Sequence, residues 1–218
     1  MKRIIVFLAI TFGAILIAYF STKDKIKPLP IINPIDVNQE MVAPELLRKG
    51  YGHIIGDFTF LNQEGKTITQ DIIENKIFVA EYFFTTCQTI CPKMNVQMQR
   101  ISNHFKENDE IKLLSFTVNP EIDSVEQMKN YADAHGAEPK QWYFLTGEKE
   151  DLYHLARTSF FVLKPSEAQN LGGKNNDFIH TNNFVLVDRQ KRIRGYYDGT
   201  SLKETDQLIK DIEQLLEE

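Results

Sequence analysis

The chain's two cysteines, Cys87 and Cys91, stand in the run Thr85-Thr86-Cys87-Gln88-Thr89-Ile90-Cys91-Pro92, with three residues between them. An apolar, strand-like stretch leads into the run and a helix-like stretch leaves it. A thiolate near a helix N-terminus is stabilised by unpaired backbone N–H groups and by the positive end of the helix dipole. The placement therefore predicts a lowered pKa for both cysteines. Low-pKa thiols bind soft metals or exchange disulfides. The alternative is a pair of inert cysteines, packed as small hydrophobes or closed into a short-loop disulfide.

A dithiol becomes a metal site only with further ligands, and five histidines are candidates. His180 follows a polar, Gly-rich stretch between Leu163 and Phe178 and immediately precedes a predicted core strand. Two thiolates and one imidazole form a soft, low-coordinate set that suits Cu(I), whereas zinc usually takes a fourth ligand. His53, His104, His135 and His154 fall at a linker edge or on predicted helices, where a solvated or capping role is ordinary. Met94 could offer a thioether, but its spacing with Met98, Ile101 and Phe105 reads as a core stripe on one helix face. Glu81 interrupts an apolar strand before Cys87. It is either a buried carboxylate with a raised pKa, able to exchange a proton with a thiol, or a sheet-margin residue that reaches water.

The elements that must position these groups are legible from periodicity. Residues 55–69 alternate apolar and polar side chains around an Asn62–Gly65 turn, as in an amphipathic hairpin. Residues 76–84 form a near-continuous apolar run of strand length, expected in a strand covered on both faces. Pro92 suits a first helical turn. Strands follow at 111–118, 142–145, 183–187 and 193–197, and helices at 124–135, 148–158 and from Ser201. This order predicts an α/β fold of thioredoxin type with an N-terminal β-hairpin extension.

Ahead of this domain, Ile4 to Phe20 is almost uninterruptedly apolar, long enough for a single transmembrane helix and lacking a small-x-small cleavage site. Three parts are expected: a membrane anchor over 1–21, a proline-rich linker over 22–50 and a folded domain over 51–218. The flanking lysines nearly balance. An uncleaved anchor and a dithiol together favour an exported domain in an oxidising compartment. A formal charge of −5 leaves no basic footprint for nucleic acid.

The anchor, the GDFTF…QEGK hairpin, the TTCxxxCP motif, Val118-Asn119-Pro120, the WYFLTG segment and the DFIHT motif together resemble the Sco (SenC/PrrC) family over essentially the whole chain. Members are membrane-anchored, thioredoxin-fold copper chaperones for cytochrome c oxidase. The resemblance implies that Cys87, Cys91 and His180 bind copper, as Cu(I) or Cu(II), and that Asp177 organises the histidine loop. It implies an inner-membrane, single-pass protein with a periplasmic domain. Its partners would be the copper-bearing subunit of the oxidase and a further copper chaperone. Gln88 stands where the family often has proline, and Asn119 where it has aspartate; neither removes a ligand.

Three functions compete. A metallochaperone would pass copper to the binuclear site by ligand exchange, helped by the mobility that Gly172 and Gly173 give the loop. A thiol–disulfide oxidoreductase would use Cys87 and Cys91 as a redox dithiol to reduce the cysteines of that target, and would not need His180. A peroxidase of peroxiredoxin type would need an arginine beside Cys87, such as Arg157 or Arg192 brought close by the fold.

Overall fold

The computed structural model describes residues 11–13, 27–42, 44–162 and 181–218. His180, Asp177, the Gly172–Gly173 pair and all of the Ile4–Phe20 segment except residues 11–13 lie outside the described residues. Seven strands run in chain order as β1 (Thr59–Asn62), β2 (Thr67–Thr69), β3 (Ile77–Phe83), β4 (Ile111–Thr117), β5 (Trp142–Thr146), β6 (Asn183–Val187) and β7 (Ile193–Asp198). Among the described residues the four longest helices are α1 (Cys91–His104), α2 (Val125–Ala134), α3 (Lys149–Thr158) and α4 (Leu202–Glu217).

The strands form one sheet in the order β2-β1-β5-β4-β3-β6-β7. β3, β4 and β5 are parallel, while β6, β7 and the β1–β2 hairpin are antiparallel to their neighbours. All seven residues of β3 are buried, because helices cover both faces of this central strand. The hairpin turns at Asn62–Gly65, where Gly65 takes φ +71, and it extends the sheet beyond β5 as its sequence predicts.

Alternation along β3 divides the core. Phe78, Ala80 and Tyr82 face a cluster closed by α3, with Leu152, Leu155 and Ala156. Ile77, Val79 and Phe83 face a second cluster closed by α1, α2 and α4, with Met94, Met98, Met128, Leu208 and Ile212. Glu81 shares the odd-numbered register and so faces the second, dithiol-bearing side. Met94, Met98, Ile101 and Phe105 belong to that cluster, so the predicted stripe is core packing.

The proline-rich segment expected as a free spacer is different in the structure. From Lys27 onward it lies on the domain: Ile32 bridges Ile193, Val42 enters the α3-side core, and Asn33 caps a short 3-10 turn while accepting from the Gly52 and His53 backbones. Arg194, 3% exposed at its side chain, donates to the carbonyls of Leu29 and Pro30 and pairs with Asp188 and Glu218. A buried guanidinium demands acceptors, and the segment supplies two of them from its backbone. Proline removes backbone donors but leaves these carbonyls free to accept.

β6 runs antiparallel to β3 with Val187 opposite Phe78, and Ile193 pairs with Val187. The segment is therefore fastened at the end of the sheet where β3 begins. The chain reaches Cys87 at the end where β3 stops.

Candidate functional site

β3 delivers the chain to a tight turn in which the Cys87 N–H donates to the Phe84 carbonyl at 3.2 Å. α1 then begins at Cys91, with Ile90 as its N-cap and Pro92 in its first turn. Ile90 offers no side-chain acceptor and Pro92 has no N–H, which leaves the Cys91 N–H as the donor to be satisfied. The Cys87 sulfur takes it, at 3.5 Å, and lies 3.7 Å from the Thr89 hydroxyl. Both cysteines are free thiols.

The predicted lowering of both pKa values holds for one cysteine only. Burial pushes the Cys87 thiol up, but backbone N–H groups of Cys91 and Thr89 and the two neighbouring side chains outweigh it and bring it down to about 7. Cys91 is raised instead. It is 1% exposed, and its burial dominates, with the Cys87 sulfur and the Glu81 carboxylate adding to the rise. Three intervening residues put Cys87 outside the helix, facing the N–H groups, and Cys91 in its first turn, facing the core. The helix terminus therefore stabilises one sulfur.

Glu81 is wholly buried, which excludes the sheet-margin alternative. Its Oε1 accepts from the Ser115 hydroxyl at 2.6 Å, and Ser115 accepts in turn from the Trp142 indole at 2.8 Å. Among the described residues its Oε2 has no hydrogen-bond partner, and burial raises the carboxyl to about 7 against the pull of Ser115. Tyr131 packs against Phe83, and Asn95, one turn along α1 from Cys91, donates to its hydroxyl.

The other histidines are occupied elsewhere. His53 pairs through Nε2 with the Ser159 carbonyl at 2.8 Å, His104 with Glu213, and His135 through Nδ1 with the Tyr131 carbonyl. His154 is exposed on α3. Among the described residues no three His, Cys, Asp or Glu side chains gather as a metal site. His180, the third ligand expected from the sequence, lies outside the described residues.

The arginine that peroxidase chemistry requires does not reach the thiol. Arg157 lies over the Tyr153 ring on α3, which covers the opposite face of the sheet, and Arg192 pairs with Asp188 at the far end. Among the described residues no cation contributes to the lowering of Cys87.

Sequence reasoning missed Asp123. It is buried in the loop after β4, and its carboxylate accepts from the Thr85 backbone and hydroxyl and from the Thr117 hydroxyl. Only its place just before a helix N-cap serine was visible, and nothing in that local pattern indicates a partner 38 residues earlier.

The sheet, the helix-start dithiol and the hairpin extension define a thioredoxin-like α/β domain with an asymmetric thiol pair. Over residues 48–217 the chain matches the SCO1/SenC family model, and it belongs to that family. It is 31% identical to the SCO1 protein homolog of Bacillus subtilis (strain 168) over 158 residues, covering 71% of this chain and 79% of that protein. A SCO1/SenC family lipoprotein from Bacillus anthracis str. Ames superposes with a TM-score of 0.67 at 28% identity, covering 75% of this chain and 95% of the other. BsSco, a Sco-family cytochrome c oxidase assembly protein with a disulfide switch, gives 0.62 at 29% identity, covering 75% and 93%. ScoI of Arabidopsis thaliana, solved with copper bound, shares the fold at a TM-score of 0.57 and 24% identity, covering 74% and 99%.

Proposed function

We propose that this chain binds copper as cargo through Cys87, Cys91 and His180 and serves the maturation of the binuclear copper site of cytochrome c oxidase. The observation that carries the reading is the pair of free thiols at the start of α1, with the Cys87 sulfur accepting from the Cys91 N–H. Two adjacent sulfurs, one of them easily ionised, fit a soft monovalent ion, and a single imidazole completes a low-coordinate set. Cys87 is 8% exposed against 1% for Cys91, so it is the more accessible of two buried cysteines. Membership of a family that includes a copper-bound ScoI and an oxidase assembly protein supports both the cargo and its destination.

In this reading Ile4 to Phe20 is a single-pass anchor in the inner membrane and the domain stands on the periplasmic side. Length and apolarity of the segment support it; among the described residues no helix is long and apolar enough to cross a membrane.

The asymmetry of the thiols favours a second reading, thiol–disulfide exchange with the oxidase cysteines. The Cys87 thiolate would attack a target disulfide, forming a mixed disulfide and releasing one target thiolate. Cys91 would then attack the Cys87 sulfur, give up its proton, close the Cys87–Cys91 disulfide and release the second target thiol.

Copper stoichiometry tests the proposal. The reduced chain, reconstituted anaerobically with Cu(I), should retain one copper, and His180→Ala should retain it far more weakly against a competing chelator. Equal retention removes His180 from the site. No retention by the wild type overturns the cargo reading and leaves thiol exchange.

A further inference from the structure

The turn that presents Cys87 is held from outside itself. Thr85 is its second residue, between Phe84, whose carbonyl accepts, and Cys87, whose N–H donates. Both polar groups of Thr85 go to one carboxylate: its N–H reaches the two Asp123 oxygens at 3.3 Å each, and its hydroxyl donates to Oδ1. The Gln127 amide, from α2, donates to the Thr85 hydroxyl at 3.3 Å. Asp123 itself is fixed. The Thr117 hydroxyl donates to Oδ2, the Thr146 hydroxyl donates to the Asp123 carbonyl at 2.9 Å, and the Asp123 N–H donates to the Asn119 carbonyl at 2.9 Å. Buried Asp123 thus ties together the outgoing ends of β3 and β4 through its carboxylate and that of β5 through its backbone carbonyl.

We propose that Asp123 is a positioning residue for the dithiol, holding the Phe84–Cys87 turn so that the Cys87 sulfur sits against the Cys91 N–H at the start of α1. The inference rests on the reading that Cys87 is the reactive sulfur, in copper binding or in thiol exchange. A turn on an untied loop can shift by an ångström at little cost, and such a shift would separate the sulfur from the N–H that stabilises its thiolate. A carboxylate suits the task because it accepts from three donors at once. An amide in its place would bring an N–H against donors that need acceptors.

The test uses the full chain in detergent, reduced and metal-free, with Thr85→Val, Thr85→Ser and Asp123→Asn. Valine keeps the branched shape of threonine and loses the hydroxyl; serine keeps the hydroxyl. The rate of Cys87 carbamidomethylation by iodoacetamide at pH 7 is followed by mass spectrometry, well below each variant's melting temperature. Loss of the contact between the Cys87 sulfur and the Cys91 N–H would slow it about tenfold, the expected result for Thr85→Val and Asp123→Asn, with Thr85→Ser at the wild-type rate. A merely structural role would lower melting temperatures without separating valine from serine. Thr85→Val alkylating at the wild-type rate, or Thr85→Ser slowed as much as valine, overturns the proposal. Should Asp123→Asn not fold, the two Thr85 variants decide. A wild-type Cys87 no faster than an ordinary thiol would instead remove the underlying reading of Cys87.

Discussion

Replacing Glu81 by glutamine should stabilise the domain at alkaline pH and do so less in acid. The folded chain moves this carboxyl from its ordinary 4.5 to about 7, through complete burial with a single hydroxyl as its donor. Between those two values the folded chain keeps a proton that the unfolded chain has released. Stability therefore falls as pH rises through this window and levels off above it. At about 1.4 kcal/mol for each pH unit between the two values, the full loss is about 3 kcal/mol, of which about 2.5 kcal/mol is realised between pH 5 and pH 8. Glutamine cannot ionise and keeps an oxygen for Ser115. Whatever constant cost the amide carries is the same at both pH values and cancels in the comparison. Urea unfolding of the reduced, metal-free wild type and Glu81→Gln at pH 5 and pH 8 reads the difference directly. The variant should gain about 2.5 kcal/mol on the wild type across this interval. A change below about 0.5 kcal/mol would refute the argument that a buried, singly donated carboxylate sits beneath the dithiol.

The two thiols should titrate apart. In Cys91→Ser, which keeps a hydroxyl donor beside Cys87, the alkylation rate of Cys87 should rise to half its maximum near pH 7, because the thiolate prevails above its pKa. In Cys87→Ser, alkylation of Cys91 should stay slow up to pH 9, since the buried thiol resists ionisation; coincident profiles in the two variants would contradict the asymmetry. Arg194→Met should cost about 3 to 5 kcal/mol in urea unfolding, by leaving the buried Asp188 with one guanidinium instead of two and the Leu29 and Pro30 carbonyls without their donor. It should also let a protease cut within 27–42 sooner than in the wild type; unchanged cleavage there would show that Arg194 does not fasten the segment.

Much of this molecule was legible because its sheet is regular. The apolar run of β3, the alternation of the hairpin and the methionine stripe of α1 each carry a period that only one element satisfies. Chain order then placed the dithiol at a strand-to-helix junction. What sequence did not carry was direction within that junction. Spacing puts both cysteines near a helix start, but only the fold decides that the Cys87 sulfur accepts the free N–H while Cys91 turns into the core. Long-range polar contacts were equally silent. Glu81 depends on Ser115, 34 residues on, and Asp123 reaches back 38 residues to Thr85; neither pair leaves a local pattern. Prolines in 28–34 read as a spacer because they break periodicity, yet their carbonyls can still satisfy a buried arginine.

These two sets of contacts lie at opposite ends of the same strands. Lys27, whose carbonyl accepts from Gln214 near the end of α4, and the Arg194 clamp mark one end, and the Cys87 turn marks the other. The seven residues of β3 alone separate them by about 20 Å. Fastened by a buried guanidinium, residues 27–34 join the domain at the end of the sheet away from the dithiol. Copper delivery and thiol exchange both require a partner's cysteines to approach the Cys87 sulfur. The described part of the fastened segment lies away from that sulfur, at a place where the sequence by itself indicated only slack chain.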